Sequence, residues 1–345
     1  MQISFFEVEE SYMRLDKAGD PLASLDSTVD WCGLADLMRE IKFDVRSNGG
    51  KGGRPPLCGL MMAKILILQA CNNLADDRTE FLINDRLSFK RFLGLGVNDK
   101  SPDSKAIWLW RERVLHSGLH EKIFSWFEKE LVRAGFEAKG GQIVDATFVP
   151  THKPSGKHKK QLQEEMPLTP RQAQQIDQDA SFTKKGNATY HGYKNHTGVD
   201  AKWKLVRKGK TTTASVHDSQ KLEDLITSQL AGCSEEDRRL FADSAYRSAE
   251  IEAMLSAKNL ISKVHERAYI GRPLTDLQKA ANRLKSSVRV RVEHVYGQME
   301  TAMGGMTIHT IGLARAEVKV TFKNLAYNMQ RLAFLTKQKL RKQCA

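Results

Sequence analysis

Residues 142–149 have the sequence QIVDATFV, in which Asp145 interrupts a run of apolar and β-branched side chains. Such side chains are typical of β-strands, and a carboxylate within a strand is costly unless it has a partner or a function. Residues 239–245, RLFADSA, repeat the pattern with Asp243. The sequence therefore predicts two strands that each carry one acid.

Further short elements surround these two strands. The pattern predicts strands at 190–199 and 204–214 joined by a turn, helices at 219–230 and 248–257, a strand at 260–264, and long helices from Asp276 onward. This order favours a mixed α/β sheet flanked by helices. Residues 153–185 are rich in Lys, Gln and Pro, so we predict a loop or partly disordered insert there.

The chain before residue 135 has helical periodicity at 57–71, 78–92 and 105–133. The first 50 residues are weakly patterned, and NGGKGGRPP at 48–56 predicts a flexible joint. We expect an N-terminal segment 1–50, an all-α domain 51–138 and an α/β domain 139–338.

The overall charge favours a polyanionic partner. The 345 residues include 54 Lys and Arg against 41 acids, a formal charge of +13 with a pI near 9.4, so nucleic acid is the leading partner. No apolar run approaches the roughly 20 residues that span a bilayer, so we expect a cytoplasmic protein with no membrane partner. Five scattered cysteines predict neither a zinc site nor a disulfide framework.

A third acid follows in a helical pattern. Glu293 lies in VRVRVEHVY (288–296), one turn after Arg289. Two strands and a helix can bring Asp145, Asp243 and Glu293 together, and clustered carboxylates repel one another unless hard cations bind them. We therefore predict two Mg²⁺ ions, with Mn²⁺ as a substitute, and phosphoryl-transfer chemistry. Asp218 is a rival for the second ligand, although its position favours capping of a helix.

Several motifs in order resemble the DDE transposases of the insertion-sequence-five group, from about residue 50 to about residue 335. They are IVDAT (143–147), TKKGN (183–187) with YHGYK (190–194), VHDS (216–219), ADSAY (242–246) and VEH (292–294). The resemblance implies a ribonuclease-H-like fold and the three acids as catalytic metal ligands. It also implies binding and cleavage of the element's terminal inverted repeats, followed by attack of the 3′-hydroxyls on target DNA.

The family's signature around its Glu is matched by Ser286, Arg289 and Glu293, whereas Glu300 occupies the step of a Lys. The resemblance therefore implies phosphate contact by Arg289, and Arg291 or Lys285 can replace the missing cation. The predicted DNA-binding residues share positive charge, a hydroxyl or an aromatic ring; they are Arg289, Lys184, Lys185, Tyr193, Lys194, Arg291 and Ser286.

Other interpretations remain open at this stage. The lysines and aromatics of 184–194 suit DNA contact and a solvated sheet edge equally well. His191 and His196 are expected to make ordinary hydrogen bonds. Two DNA ends must be processed in concert, so we expect a homodimer. The helical domain 51–138 either inserts a helix into DNA or forms a dimerisation platform, and the pattern does not separate these alternatives. The rival functions are a structure-specific nuclease without strand transfer and a DNA-binding protein that has lost activity.

Overall fold

The computed structural model describes residues 5–41, 57–164, 166–227 and 234–343. The chain divides into two compact units, Met1–Glu130 with Leu325–Ala345, and Leu131–Asn324. The predicted flexible joint at 48–56 lies outside the described residues.

The first unit is helical. Its helices are α1 (Phe5–Ala18), α2 (Pro21–Thr28), α3 (Cys32–Met38), α4 (Gly59–Asn72), α5 (Asp76–Asp85), α6 (Leu87–Leu93), α7 (Ser104–His116) and α8 (Leu119–Arg133), the last of which ends beyond the unit's boundary at Glu130. The weakly patterned N-terminal segment thus contains three helices that the sequence did not predict. Two of them span only eight and seven residues, too few for a helical period to stand out.

The three predicted helical stretches are confirmed, with breaks in two of them. The stretch 78–92 divides at Arg86, whose backbone is extended, and the stretch 105–133 divides near Gly118, which has a φ of +64°. Asp103 caps α7 by accepting a hydrogen bond from the amide of Ala106 at 2.7 Å. Arg111 of α7 donates two hydrogen bonds of 2.7 and 2.6 Å to Asp76, which joins α7 to α5.

The second unit is built on a single mixed sheet of six strands in its described part. The strands are β1 (Gln142–Pro150), β2 (Ser181–Lys185), β3 (Ala188–Asp200), β4 (Val206–Thr213), β5 (Arg239–Ala242) and β6 (Ile261–Val264). Strand β3 runs antiparallel to both β1 and β4, whereas β1, β5 and β6 are parallel to one another. Strand β2 pairs with the first part of β3, and β4 with the part that follows. This is the predicted ribonuclease-H-like sheet.

Helices complete the second unit. They are α9 (Gly156–Gln163), α10 (Pro170–Ala173), α11 (Leu222–Leu225), α12 (Ala249–Ala257), α13 (Asp276–Thr301) and α14 (Leu313–Gln343), which continues past residue 324. The predicted helix at 219–230 is confirmed only at α11, and its last residues, 228–230, lie outside the described residues. A 3-10 turn (Asp218–Lys221) and the short α11 stand there, and the chain becomes extended at Ile226.

The insert at 153–185 is not the predicted loop, because it contains α9, α10 and β2. Two of its acids hold the start of α14. Asp177 accepts hydrogen bonds from the hydroxyl of Tyr193 at 2.8 Å and from the amide of Gly312 at 3.2 Å. Asp179 accepts one from the amide of Leu313 at 2.8 Å. These bonds supply the order that the polar composition of the insert does not predict.

The sheet is covered by apolar side chains of its own strands and helices. One buried cluster joins β1, β5 and β6 to α11 and α12, and includes Val144, Leu225, Leu240, Leu255 and Val264. Both Ile143 and Val144 are fully buried although they point to opposite faces. The strands that carry the two acids are therefore held rigidly in the middle of the sheet.

Candidate active site

The parallel pairing of β1 with β5 brings Asp145 close to Asp243, the residue that directly follows β5. Strand β1 pairs with β5 so that Ile143 is opposite Phe241. Extending this register by two residues brings Asp243 beside Asp145, and adjacent strands are about 4.8 Å apart. Negative charge at Asp243 raises the pKa of Asp145, in agreement with this placement. The topology thus brings together two acids that are 98 positions apart in the chain.

The carboxylate of Asp145 is largely shielded from water, with 18% of its side chain exposed. The pKa of this carboxyl is raised from 3.8 to about 6; burial is the largest cause, and the negative charges of Asp243 and Asp218 act in the same direction. The amide of Ala146, 2.9 Å away, and the guanidinium of Arg289 act in the opposite direction. Desolvation is the dominant cause, so Asp145 is an acid whose charge needs a nearby cation.

Asp243 follows β5 directly and begins a 3-10 turn, Ser244–Tyr246. Its Oδ1 accepts a hydrogen bond from the amide of Ala245 at 2.7 Å. Asp243 therefore has a structural role as the cap of this turn. The capping bond uses one oxygen and fixes the orientation of the carboxylate, so this role is compatible with a function for the other oxygen.

Glu293 lies on α13 and has 55% of its side chain exposed. It is linked to Asp145 through Arg289, whose Nη1 lies 3.0 Å from Oδ2 of Asp145 and whose Nη2 lies 3.4 Å from Oε1 of Glu293. Within the described ranges, no group of three or more His, Cys, Asp or Glu side chains is placed to hold a metal ion. Of the three predicted acids, Asp145 and Asp243 form a pair, and Glu293 is joined to Asp145 through Arg289.

Helix α13 is fixed to the sheet by polar contacts along one face. The hydroxyl of Tyr296 lies 2.6 Å from Oγ1 of Thr197, the residue opposite Asp145 on β3. Arg291 donates a hydrogen bond of 2.6 Å to the carbonyl of Ala201. Because Arg289 belongs to the same helix, these contacts set its distance from β1.

A second charged group lies beside the two aspartates. Lys194 on β3 donates hydrogen bonds of 2.8 Å to Asp218 and to the carbonyl of Val216. His196 is buried, its Nε2 lies 2.8 Å from Oγ1 of Thr212, and burial lowers its pKa to about 4. The predicted cap by Asp218 is wrong, because His217 caps the 3-10 turn through a hydrogen bond from the amide of Ser219. Asp218 instead compensates the charge of Lys194.

The predicted DNA-binding residues differ widely in accessibility. Lys184 is exposed, Lys194 is 12% exposed and paired with Asp218, and the side chain of Lys185 lies outside what the structure describes. Ser286 is exposed, and its hydroxyl lies 3.4 Å from Nε2 of His265. Tyr193 requires a correction. Its ring is fully buried and its hydroxyl donates to Asp177, so it offers no face for a base.

His265 is a site residue that the sequence analysis missed. It follows β6 as Asp243 follows β5, and its amide donates to the carbonyl of Ala242 at 3.1 Å. Burial lowers the pKa of His265, as do the nearby cations of Arg289 and Lys285, whereas Asp243 raises it. The polar residues after an apolar strand, VHE at 264–266, were the signal that could have identified it.

The side chains present suit a divalent cation at the two aspartates. Paired carboxylates on adjacent strands are hard oxygen donors whose repulsion a cation relieves, and the raised pKa of Asp145 records the absence of full compensation by Arg289. Glu293 is not part of that pair, because Arg289 lies between it and Asp145. Asp145 and Asp243 therefore fit the metal role better than Glu293 does.

The ribonuclease-H-like sheet with acids on its neighbouring central strands is typical of enzymes that process nucleic acids. Residues 137–329 match the family model described as Transposase DDE domain, and residues 9–113 match the one described as Transposase domain (DUF772). The chain belongs to the DDE transposase family and is a DNA transposase. The family binds and processes DNA and in general uses divalent metal ions.

No solved structure matches the chain. Among the residues that the structure describes, no helix is both long and apolar enough to cross a membrane.

Proposed function

We propose that this transposase binds the ends of its insertion sequence, cleaves the DNA there and joins the freed 3′-hydroxyls to target DNA. We assign it to the insertion-sequence-five group on its motifs. The observation that supports the reaction is the pair Asp145 and Asp243 on adjacent strands, with Arg289 joined to Asp145. A carboxylate pair with an arginine at its edge can hold both a cation and a phosphate.

In this proposal Asp145 and Asp243 hold two Mg²⁺ ions, with Glu293 as a third ligand. Bound metal would supply activation of the attacking hydroxyl and stabilisation of the leaving oxygen. Asp243 is oriented by the amide of Ala245, and the burial of Asp145 excludes water from one side of the pair. Arg289 contacts the phosphate, which requires it to exchange at least one carboxylate for a phosphate oxygen.

The proposed DNA contacts are Arg289, Arg291, Ser286, Lys184, Lys185 and Lys194. Arg289, Arg291 and Ser286 lie on α13, where Arg289 contacts Asp145, whereas Lys184 lies on β2. Lys194 is the least accessible because Asp218 binds it. We further propose that the protein acts as a homodimer in the cytoplasm, since two ends must be processed together, and that the helical unit contributes end recognition.

The test is a strand-transfer assay with labelled DNA that carries the element's own ends, in Mg²⁺ and in chelator. Asp243→Asn should lower nicking and joining by about 10³-fold or more, because it weakens a metal ligand without changing shape. Asp224→Asn is the matched control, since this aspartate is 53% exposed and lies 3.5 Å from Lys221, three residues earlier in the chain.

Three outcomes separate the alternatives. Joined products that need metal and Asp243 support the transposase. Cut but unjoined DNA favours a nuclease. Binding without nicking or joining would leave only a DNA-binding protein.

A further inference from the structure

A cavity of about 840 Å³ lies in the second unit, away from the aspartates. Its walls come from four places: Lys139 and Gly140 before β1, the turn between β3 and β4, the start of β5, and α13. Asp145 lies five residues after Gly140, and Asp243 follows the carboxyl end of β5, whose first residue, Arg239, lines the cavity. We call this cavity the basic cleft.

The basic cleft is dominated by positive charge. Seven of its eleven lining residues are charged, five of them cations and two of them acids. The acids are engaged: Asp237 accepts a hydrogen bond of 2.6 Å from the amide of Gly140, and Glu236 lies 3.7 Å from Arg239. Pockets for small metabolites are mostly apolar. This lining instead suits a polyanion.

Lys139 lies 3.4 Å from Glu137, and the other three cations are held in place by their surroundings. Lys202 lies over the ring of Trp203, 4.8 Å from its centroid, and Arg291 donates to the carbonyl of Ala201. Both contacts are with neutral groups, so they orient the side chains without cancelling their charge. Nζ of Lys204 lies 2.7 Å from Nδ1 of His294. Three cations from a turn and a helix thus converge on one opening.

The wall beside these cations is preorganised. Gly141 has a φ of +94°, and a Cβ there would lie 2.7 Å from the carbonyl oxygen of Arg239. This close approach brings the chain before β1 against the start of β5. Asp237 holds the same junction through Gly140, and its hydrogen bonds with this amide and with Ser234 lower its pKa.

We propose that the basic cleft binds the phosphodiester backbone of DNA some distance from the reacting phosphate, as a second anchoring site. Gly140 is five residues before Asp145, which corresponds to roughly 17 Å along an extended strand. One duplex rises about 3.4 Å per base pair, so the cleft would contact DNA about five base pairs from the cleavage position. This inference rests on the proposed function, because it takes transposon DNA as the ligand.

The first test is DNA binding as a function of salt, with the full chain and a labelled duplex that carries the element's end. Lys202→Gln/Lys204→Gln should weaken binding tenfold or more and reduce the slope of log K against log salt by about 1.8, since each phosphate contact contributes about 0.9. The matched control is Lys258→Gln/Lys279→Gln, which removes two charges that pair with Glu223 and Asp276 outside the cleft.

The second test uses the native protein and does not depend on the variants folding. Acetylation of lysines, followed by mass spectrometry, should show that DNA protects Lys139, Lys202 and Lys204 and leaves Lys258 and Lys279 reactive. Equal salt slopes for the two double variants, together with unprotected cleft lysines, would overturn the inference. If the native protein nevertheless joins DNA, the proposed function stands and only the inference about the cleft fails. If DNA protects the cleft lysines but the protein never cuts DNA, the inference about the cleft stands and the proposed function fails.

Discussion

Nη1 of Arg289 lies 3.0 Å from Oδ2 of Asp145, and this ion pair joins α13 to the central strand of the sheet. Both side chains are mostly shielded, 23% and 18% exposed. The guanidinium lowers the pKa of Asp145 against the larger effect of burial. The fold shields the carboxylate of Asp145 from water, and Arg289 supplies the stabilisation that hydration would otherwise give.

This pair should show energetic coupling in a double-mutant cycle. We expect Arg289→Gln and Asp145→Asn to couple by about 1–2 kcal/mol in the free energy of unfolding, measured with urea at pH 8 in chelator. Arg289→Gln alone leaves a shielded carboxylate unpaired, and this cost disappears when Asp145 is already Asn. The control cycle is Arg289→Gln with Glu293→Gln, for which we expect less than about 1 kcal/mol because Glu293 is exposed. Equal coupling in both cycles would refute the special role of Asp145.

The burial of Asp145 also predicts how stability depends on pH. The pKa is raised in the folded state, from 3.8 to about 6, so ionisation opposes folding, and stability is lost as pH rises through 6. A difference of about two pKa units corresponds to about 3 kcal/mol. In chelator, Asp145→Asn should match the native chain below pH 4 and exceed its stability by up to about 3 kcal/mol above pH 7.

The measurement is urea unfolding between pH 4 and pH 8. Asp224→Asn on an exposed helical surface should change the free energy of unfolding by less than about 0.5 kcal/mol throughout this range. A stability gain of Asp145→Asn that does not vary with pH would mean that the burial of the carboxylate is not its cause.

The fold of the second unit was largely predictable because its signals are local. Asp145 and Asp243 stand in apolar strands whose order determines the sheet, and the parallel pairing of β1 with β5 follows from that order. The order of the strands therefore predicted that the two aspartates lie side by side. Glu293 was placed on the correct helix, but the ion pair of Arg289 depends on how α13 packs on the sheet, which periodicity does not specify.

The errors have a common physical origin in long-range partners. Tyr193 has an amphipathic composition suited to DNA, yet its hydroxyl is bound by Asp177 from the insert. The polar composition of the insert predicted a loop or partial disorder. Two of its acids instead accept hydrogen bonds from amides at the start of α14, about 135 residues away in sequence. Asp218 was assigned a local cap, and Lys194 on a neighbouring strand binds it instead.

Asp218 and Asp243 can be separated by matched substitutions. Because Lys194 holds Asp218 at 2.8 Å, Asp218→Asn should keep strand transfer within about tenfold of the native rate, whereas Asp243→Asn loses about 10³-fold. The cost of Asp218→Asn should appear in stability, about 1–3 kcal/mol, since a shielded lysine loses its counter-ion. Metal binding measured by calorimetry should change only for Asp243→Asn. Loss of metal affinity in Asp218→Asn would instead assign Asp218 to the metal site.

Tyr193→Phe tests whether this tyrosine is structural. The hydroxyl donates to Asp177 at 2.8 Å inside the fold, so its removal should cost about 1–3 kcal/mol in the free energy of unfolding. It should leave the salt slope of DNA binding unchanged, because a buried ring neither stacks on bases nor contacts phosphate. Tyr190→Phe is the control on the same strand: its ring stacks on Phe148 with centroids 4.6 Å apart, and this stacking survives the substitution. A weaker salt slope in Tyr193→Phe at unchanged stability would mean that DNA reaches this side chain after a rearrangement of the insert.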